Sequence, residues 1–167
     1  MSGSAVERLW RGYLDTLPQD APQRERGYLA EAFGDSPEMA DRLAALILSG
    51  TKTATCSALP EYEAAGEPLP LVGDLLVVLD GREEPLCIVE TTEVALRSFD
   101  EVDETFAREE GEGDRTLASW RREHERFFRR TLPRIGREFS PGIPLVCERF
   151  RLVYREREAP AVENPRS

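Results

Sequence analysis

Chemistry in this chain would centre on Gly50-Thr51-Lys52-Thr53-Ala54-Thr55-Cys56-Ser57, where its one lysine stands among hydroxyls. Of the 22 basic residues, the other 21 are arginine. A guanidinium keeps its proton in a protein, whereas a desolvated lysine amine can lose it and act as base or nucleophile. A lone lysine in an arginine chain therefore marks a position where the two cations differ, unless it is an ordinary exposed cation left by drift. A threonine hydroxyl is a weak nucleophile until a neighbouring base takes its proton, and a neutral amine can do so. Thr51, Thr53, Thr55 and Ser57 all lie within reach in sequence. Taken singly, each also reads as a hydroxyl that favours a strand or steadies a turn.

Geometry constrains the pairing. In a regular strand Lys52 and Thr55 point to opposite faces, whereas in a helical turn residues three apart are neighbours. A Lys52–Thr55 dyad thus requires the chain to turn or bulge between Gly50 and Thr55. Two carboxylates could complete such a site. Glu112 stands between glycines in Glu110-Gly111-Glu112-Gly113-Asp114, where a flexible backbone could carry it over a pocket. Glu90 lies inside the apolar run Ile88-Val89-Glu90-Thr91, and a charge there needs a partner, for which Lys52 is the obvious candidate. Either could be a general acid if burial raises its pKa; equally, Glu112 reads as a solvated loop acid and Glu90 as an outward strand residue.

The elements that must position these groups are readable in outline. Ser4 to Glu7 has the form of a capping box and opens an amphipathic helix carrying Val6, Leu9, Trp10, Tyr13 and Leu17 to Pro18. Residues 18–27 read as a loop, and Tyr28 to Phe33 as either strand or helix. A second helix begins at Ser36-Pro37, carries Met39, Leu43, Leu46 and Ile47, and stops at Gly50. The lysine segment therefore leaves a helix C-terminus, whose partial negative charge favours a protonated amine. Residues 60–73, rich in proline and glycine, read as a loop. Thr53–Leu59, Leu75–Leu79, Leu86–Val94 and Leu145–Tyr154 read as strands, the middle two joined as a hairpin. Asp100–Arg108 reads as a short helix, and Asp114 as the cap of a long one bearing Leu117, Trp120, His124, Phe127 and Phe128. His124, the sole histidine, sits at the edge of that apolar face and suits packing. Arg122, Arg126 and Arg130 form a row that suits a solvated face paired with the acidic 101–114 segment, or else a phosphate-binding stripe. Scattered strands with helices between them fit an α+β domain or small mixed barrel.

The whole chain sets the limits. At 167 residues and 40% hydrophobic it can bury one real core. No apolar run or leader pattern points to a membrane. Cys56, Cys87 and Cys147 are odd in number and lack metal-ligand spacing, so no metal or other cofactor is expected; they suit a reducing cytoplasm as small buried residues. A net charge of −10 works against coating a long nucleic acid but not against a small neutral ligand, and leaves room for a local RNA contact.

Phe33-Gly34-Asp35, Gly50-Thr51-Lys52-Thr53-Ala54-Thr55, Gly73-Asp74, Glu90-Thr91 and the 110–114 run occur in this order, followed by Trp120-Arg121 and His124. As an ordered set they resemble the ASCH domain, a branch of the PUA-like superfamily, over residues 28–154. The resemblance implies an α+β fold, a small PUA-like mixed β-barrel with flanking helices, preceded by a helix and linker (1–27) and followed by a disordered tail (155–167). In the bacterial acetylcytidine amidohydrolases of this superfamily the lysine of Gly-x-Lys-x-x-Thr is the base, the threonine the nucleophile and a downstream glutamate the proton donor. Carried across, these are Lys52, Thr55 and Glu112, with Glu110 as the alternative donor. Thr53, Ser57, Glu90, Asp114 and Arg115 are the candidates for substrate contact. The resemblance thus implies a metal-free amidohydrolase on an N-acylated nucleoside. Other relatives are described as RNA-binding or as ribonucleases, so a non-catalytic RNA- or nucleotide-binding module stands beside it.

Overall fold

The computed structural model describes residues 2–156. In chain order it contains α1 (Ser2–Asp15), α2 (Gln23–Arg26), β1 (Leu29–Ala32), α3 (Pro37–Leu48), β2 (Ala54–Ala58), α4 (Leu59–Ala65), β3 (Leu75–Leu79), β4 (Pro85–Ser98), α5 (Glu104–Glu110), α6 (Leu117–Thr131) and β5 (Pro144–Arg155). The expected tail beyond residue 156 lies outside the described residues.

The five strands form one mixed sheet in the order β1-β3-β4-β5-β2, with β1 parallel to β3 and every other pair antiparallel. Long β4 and β5 pair from Cys87↔Arg155 to Ser98↔Pro144, with irregularities at Ile88/Val89 and Thr91/Glu93. Such bulges add twist and bend a strand, and here the sheet curls into a half-barrel. The α+β, PUA-like architecture is therefore the one the sequence implied.

Both faces of the sheet are covered. Side chains alternate along β3, so Leu75 and Val77 pack under Val6, Leu9 and Tyr13 of α1, while Val78 joins Ala44 and Ile47 of α3. A third cluster sets Phe106 of α5 and Trp120 and Phe128 of α6 against Ala54 of β2 and Leu145 of β5. Helix α1 thus shares its core with the sheet rather than hanging from it as an appendage.

Several elements differ from the sequence reading. Residues 60–73 are not wholly loop, because α4 occupies their first part. Pro60 sits in its first turn, where no N–H is needed, and Gly66 ends it in the left-handed region at φ 67°. Residues that read as breakers are here start and stop signals. The 18–27 loop contains the single turn α2. Ser4 lies inside α1 rather than capping it. The cap of α6 is Thr116, whose hydroxyl accepts from Ser119 N at 3.1 Å. Asp114 instead steadies that cap, accepting from the backbone and hydroxyl of Thr116. At α3 the expectation holds, with Ser36 Oγ accepting from Met39 N.

Leu9 is 1% exposed and joins α1 to the sheet. Leu9→Ala is expected to cost about 2–5 kcal/mol in urea unfolding, as a core leucine does; a loss well under 1 kcal/mol would mean that α1 is an accessory.

Candidate active site

The backbone brings Lys52 to its place by three clips. Thr51 N and Lys52 N both donate to Leu46 O, each at 3.0 Å, which turns the chain back against the end of α3. Gly50 takes φ 80° in that turn. Thr53 N then donates to Glu109 O at 2.7 Å, and Phe150 N donates to Thr53 O at 3.0 Å, tying the segment to the end of α5 and to β5. Gly111, at φ 74°, follows α5 directly; a Cβ there would stand 2.6 Å from Thr51 O and 3.1 Å from Lys52 Cα. Only glycine allows the carboxylate-bearing loop to lie this close to the lysine backbone.

The Lys52 side chain is 1% exposed. Its Nζ donates to Ala54 O at 2.8 Å and Glu110 O at 3.4 Å, and pairs with Glu112 Oε2 at 3.4 Å and Glu110 Oε1 at 3.6 Å. Glu110, the last residue of α5, is equally buried. Its Oε2 accepts from Trp120 Nε1 and lies 2.6 Å from His124 Nε2. His124 stacks on Trp120 with ring centroids 4.2 Å apart, and its Nδ1 lies 2.9 Å from Trp120 O. Both ring nitrogens thus face acceptors, an arrangement that suits the imidazolium, which donates from both.

The electrostatics agree. Burial alone would raise the Glu110 carboxyl, but the charges of His124 and Lys52 and the hydrogen bonds from His124 and Trp120 outweigh it and hold it down at about 2. Burial alone would lower His124; the charge and hydrogen bond of Glu110, with Glu112 behind, raise it instead.

These groups line a cavity of about 1010 Å³, which also takes in Thr55, Ser57, Tyr62 and Glu148. Thr55, in edge strand β2, is the direct cross-strand partner of Glu148 in β5, so the two side chains share a face. Cys56 alternates toward the other face, with its Sγ 3.9 Å from Glu110 Oε2. Lys52 precedes the strand, so the segment is not a plain extended run. Among the described residues, however, Thr55 is not a hydrogen-bond partner of the Lys52 amine. Glu148 accepts from Thr91 Oγ1 at 3.4 Å. Burial first, then the nearby carboxylates of Asp74 and Glu31, push it up to about 7 against the Thr91 hydrogen bond.

The structure sorts the sequence candidates. Lys52, Thr55, Ser57, Glu112 and Asp114 line the one cavity. Thr53, Glu90 and Arg115 stand outside its wall. Thr53 is turned to the Glu109 carbonyl. Glu90 does not pair with Lys52; it faces Arg151, its cross-strand partner on β5, at 2.8 Å. Arg115 is exposed at φ 64°, with Nε donating to Arg108 O. Of the arginine row, Arg122 meets the acidic 101–114 segment through its charge on Asp114, while Arg122 and Arg126 pair with Glu123 and Arg130 pairs with Asp35. His124 packs as expected but is also an ionic member of the site. Sequence reasoning missed Glu148, although its place between Val146 and Phe150 in the apolar phase of β5 was a signal.

Cys56, Glu110 and His124 each offer a ligand atom within 4.8 Å of the others. As a metal set they fit poorly. The Glu110 carboxylate is committed to Trp120, His124 and Lys52, and burial with the Glu110 charge raises the Cys56 thiol well above its ordinary value, away from the thiolate a metal needs.

The pair predicts a pH signature. Glu110 binds its proton less tightly when folded, so it stabilises above about pH 4.5 and loses that contribution as pH falls toward about 2. His124 binds its proton more tightly when folded, so it stabilises below about pH 6.5 and loses that contribution as pH rises through its folded value. His124→Gln is expected to cost about 3–5 kcal/mol near pH 6, and the gap to wild type is expected to narrow toward pH 9. A gap independent of pH in urea unfolding would show that the imidazolium is not what stabilises the site.

Residues 29–154 match the model of the ASCH domain family. The chain is similar to the crystal structure of an ASCH domain from Lactobacillus crispatus JV V101, at 36% identity and a TM-score of 0.86, over 91% of this chain and 96% of that one. It is also similar to protein EF3133 from Enterococcus faecalis V583, at 39% identity and a TM-score of 0.77, over 89% of this chain and 88% of that one. No curated protein matches this chain. With the match covering most of its length, the chain belongs to the ASCH domain family.

Proposed function

We propose that the chain is an amidohydrolase acting on an N-acylated nucleoside of the acetylcytidine kind, with Lys52 as base, Thr55 as nucleophile and Glu112 as acid. The observation that carries this reading is the buried Lys52 amine held 3.4 Å from Glu112 in the cavity that Thr55 lines. A cavity of about 1010 Å³ suits a nucleoside-sized ligand.

One proton shift arms both groups. Moving a proton from the Lys52 ammonium to Glu112 turns an ion pair into a neutral amine and a carboxylic acid, the base and the acid the reaction needs. A ligand that expels water favours that neutral pair, because separated charges lose most on desolvation. Lys52 then turns from the Ala54 carbonyl toward Thr55 and takes the hydroxyl proton. Thr55 Oγ1 bonds to the acyl carbon, and the tetrahedral intermediate expels the nucleoside amine with a proton from Glu112. Water hydrolyses the resulting ester, giving the free acid and restoring Thr55. Glu110 is unsuited to the acid role because its carboxyl is held near pKa 2.

A second reading, a nucleotide- or RNA-binding module or a ribonuclease, is favoured by Arg42, Arg122 and Arg126 at the cavity wall, where they could meet a phosphate. Hydrolysis separates the two. Acetylcytidine is expected to yield cytidine and acetate with wild type, and Lys52→Arg, Thr55→Ala and Glu112→Gln are each expected to lose roughly 10²- to 10⁴-fold in kcat. If wild type releases no acetate across a panel of acylated nucleosides while retaining a salt-sensitive affinity for RNA, the binding reading replaces the hydrolase.

A further inference from the structure

We infer that Glu148 is a specificity residue whose carboxyl grips the donor–acceptor edge of a heterocyclic ligand beside Thr55. This rests on the nucleoside reading above, and it concerns recognition rather than hydrolysis.

The argument starts from position. Glu148 lies in the middle of β5, paired across the sheet with Thr55 on one side and Val94 of β4 on the other. It lines the cavity, and its side chain shares a face with the hydroxyl proposed to attack the acyl group. A ligand whose acyl carbon reaches Thr55 therefore presents its neighbouring ring atoms to Glu148.

Next come its partners. Thr91 of β4 supplies a hydroxyl to Oε1, which leaves Oε2 for a ligand. Among the described residues no lysine or arginine pairs with Glu148, unlike Glu90, Glu109, Glu110 and Glu112, which are all paired with cations. The other groups facing it are Tyr62 of α4, whose hydroxyl burial pushes up to about 12 against a hydrogen bond with Ser57, Glu31 of β1 and Asp74 ahead of β3. None of these supplies a positive charge. Glu31 is itself raised, by burial and by Glu67. A half-buried carboxyl beside a phenol and two further carboxylates is in a setting that favours the neutral acid.

The chemistry follows from protonation. An ionised carboxylate only accepts, so it would select a ligand with two adjacent donors, such as a cation. A carboxylic acid offers one donor and one acceptor side by side. Its complement is a ring nitrogen beside an N–H, or an N–H beside a carbonyl, which is the edge of a pyrimidine or other cyclic amide or amidine. Such a paired contact also penalises ligands that lack one of the two groups, because a buried polar atom is then left without a partner. Glu148 would thus stand at the neutral end of the cavity, while Lys52 with Glu112 works at the charged end.

Cytidine, the product of the proposed reaction, is the probe. Calorimetric titration between about pH 6 and pH 9 is expected to show wild-type affinity steady in the acid range and falling by up to about tenfold per pH unit once Glu148 ionises. Glutamine has the same shape and the same neutral donor–acceptor pair, so Glu148→Gln is expected to bind as wild type does at pH 6 and to keep that affinity to pH 9. Glu148→Ala is expected to bind roughly 10- to 100-fold more weakly at pH 6. Because His124 is shared by all three proteins, the difference between wild type and Glu148→Gln isolates Glu148. The inference is overturned if Glu148→Gln binds as weakly as Glu148→Ala, if wild-type affinity rises with pH, or if wild type fails to bind cytidine at pH 6. A wild type that binds cytidine with the expected profile yet releases no acetate from acetylcytidine defeats the hydrolase reading and leaves the recognition role standing.

Discussion

The ion cluster around Lys52 is the constraint the rest of this fold answers to. An ammonium at 1% exposure would be several kcal/mol too costly without compensation, and so would the Glu110 carboxylate beside it. Each is acceptable only because the other is there, with His124 and Trp120 bonding the remaining carboxylate oxygen. Counting Glu112, two carboxylates meet one ammonium and one imidazolium, so the cluster is close to neutral. That balance requires three separate stretches of chain to arrive together: the segment from the exit of α3 to the start of β2, the end of α5 with the loop after it, and the middle of α6. Topology delivers them. The sheet fixes β2 against β5, the Thr53–Glu109 bond fixes α5 against β2, and packing of Phe106, Trp120 and Phe128 fixes α6 over both.

The same cluster explains why this position holds a lysine in a chain that otherwise uses arginine. The amine makes one short bond to Ala54 O and two longer contacts to the loop, in a space walled by backbone on two sides. A planar guanidinium needs a fork of acceptors in its own plane, whereas these acceptors converge on a single nitrogen, which suits the compact ammonium. Lysine is also the cation that can return a proton to a neighbour.

Legibility in the sequence followed the range of the interactions. Local signals were read well. Ser36-Pro37 starts α3, Gly50 ends it, and the apolar run 75–79 and the alternation in 145–154 mark strands, because each depends on residues close in sequence. Breakers misled where they were used as terminators: Pro60 and Gly66 bracket a helix rather than forbid one. At the site, Lys52 stood out by composition and the 110–112 carboxylates by their glycines. Partner choice was not legible. Glu90 was matched to Lys52 because both needed a counter-charge, and only the register of β4 against β5 shows that Arg151 already supplies it. His124 reads as a packing residue because Trp120, Phe127 and Phe128, its neighbours on the helix face, are apolar, while its partner Glu110 comes from another helix. Glu148 is hard to read because both phases of β5 are apolar in part, Leu145 and Cys147 on one and Val146 and Phe150 on the other, so alternation alone does not show which face holds the cavity.

The cavity that results has two electrostatic characters, and they arise from one cause. Burial disfavours charge most at Glu110 and less at the partly exposed Glu112, and what further distinguishes the carboxylates is whether a cation has been brought to them. Glu110 has two, and its proton is lost far below neutrality; Glu148 has none, and its proton stays to about 7. The difference in cation supply traces to α6, which brings His124 over the end of α5, whereas α4 brings only the phenol of Tyr62 toward β5. One fold thus holds a committed anion and a neutral acid within a single pocket, separated by the edge strand that carries Thr55. A ligand spanning that strand would meet the paired ions around Lys52 on one side and, among the described residues, a carboxyl with no cation beside it on the other.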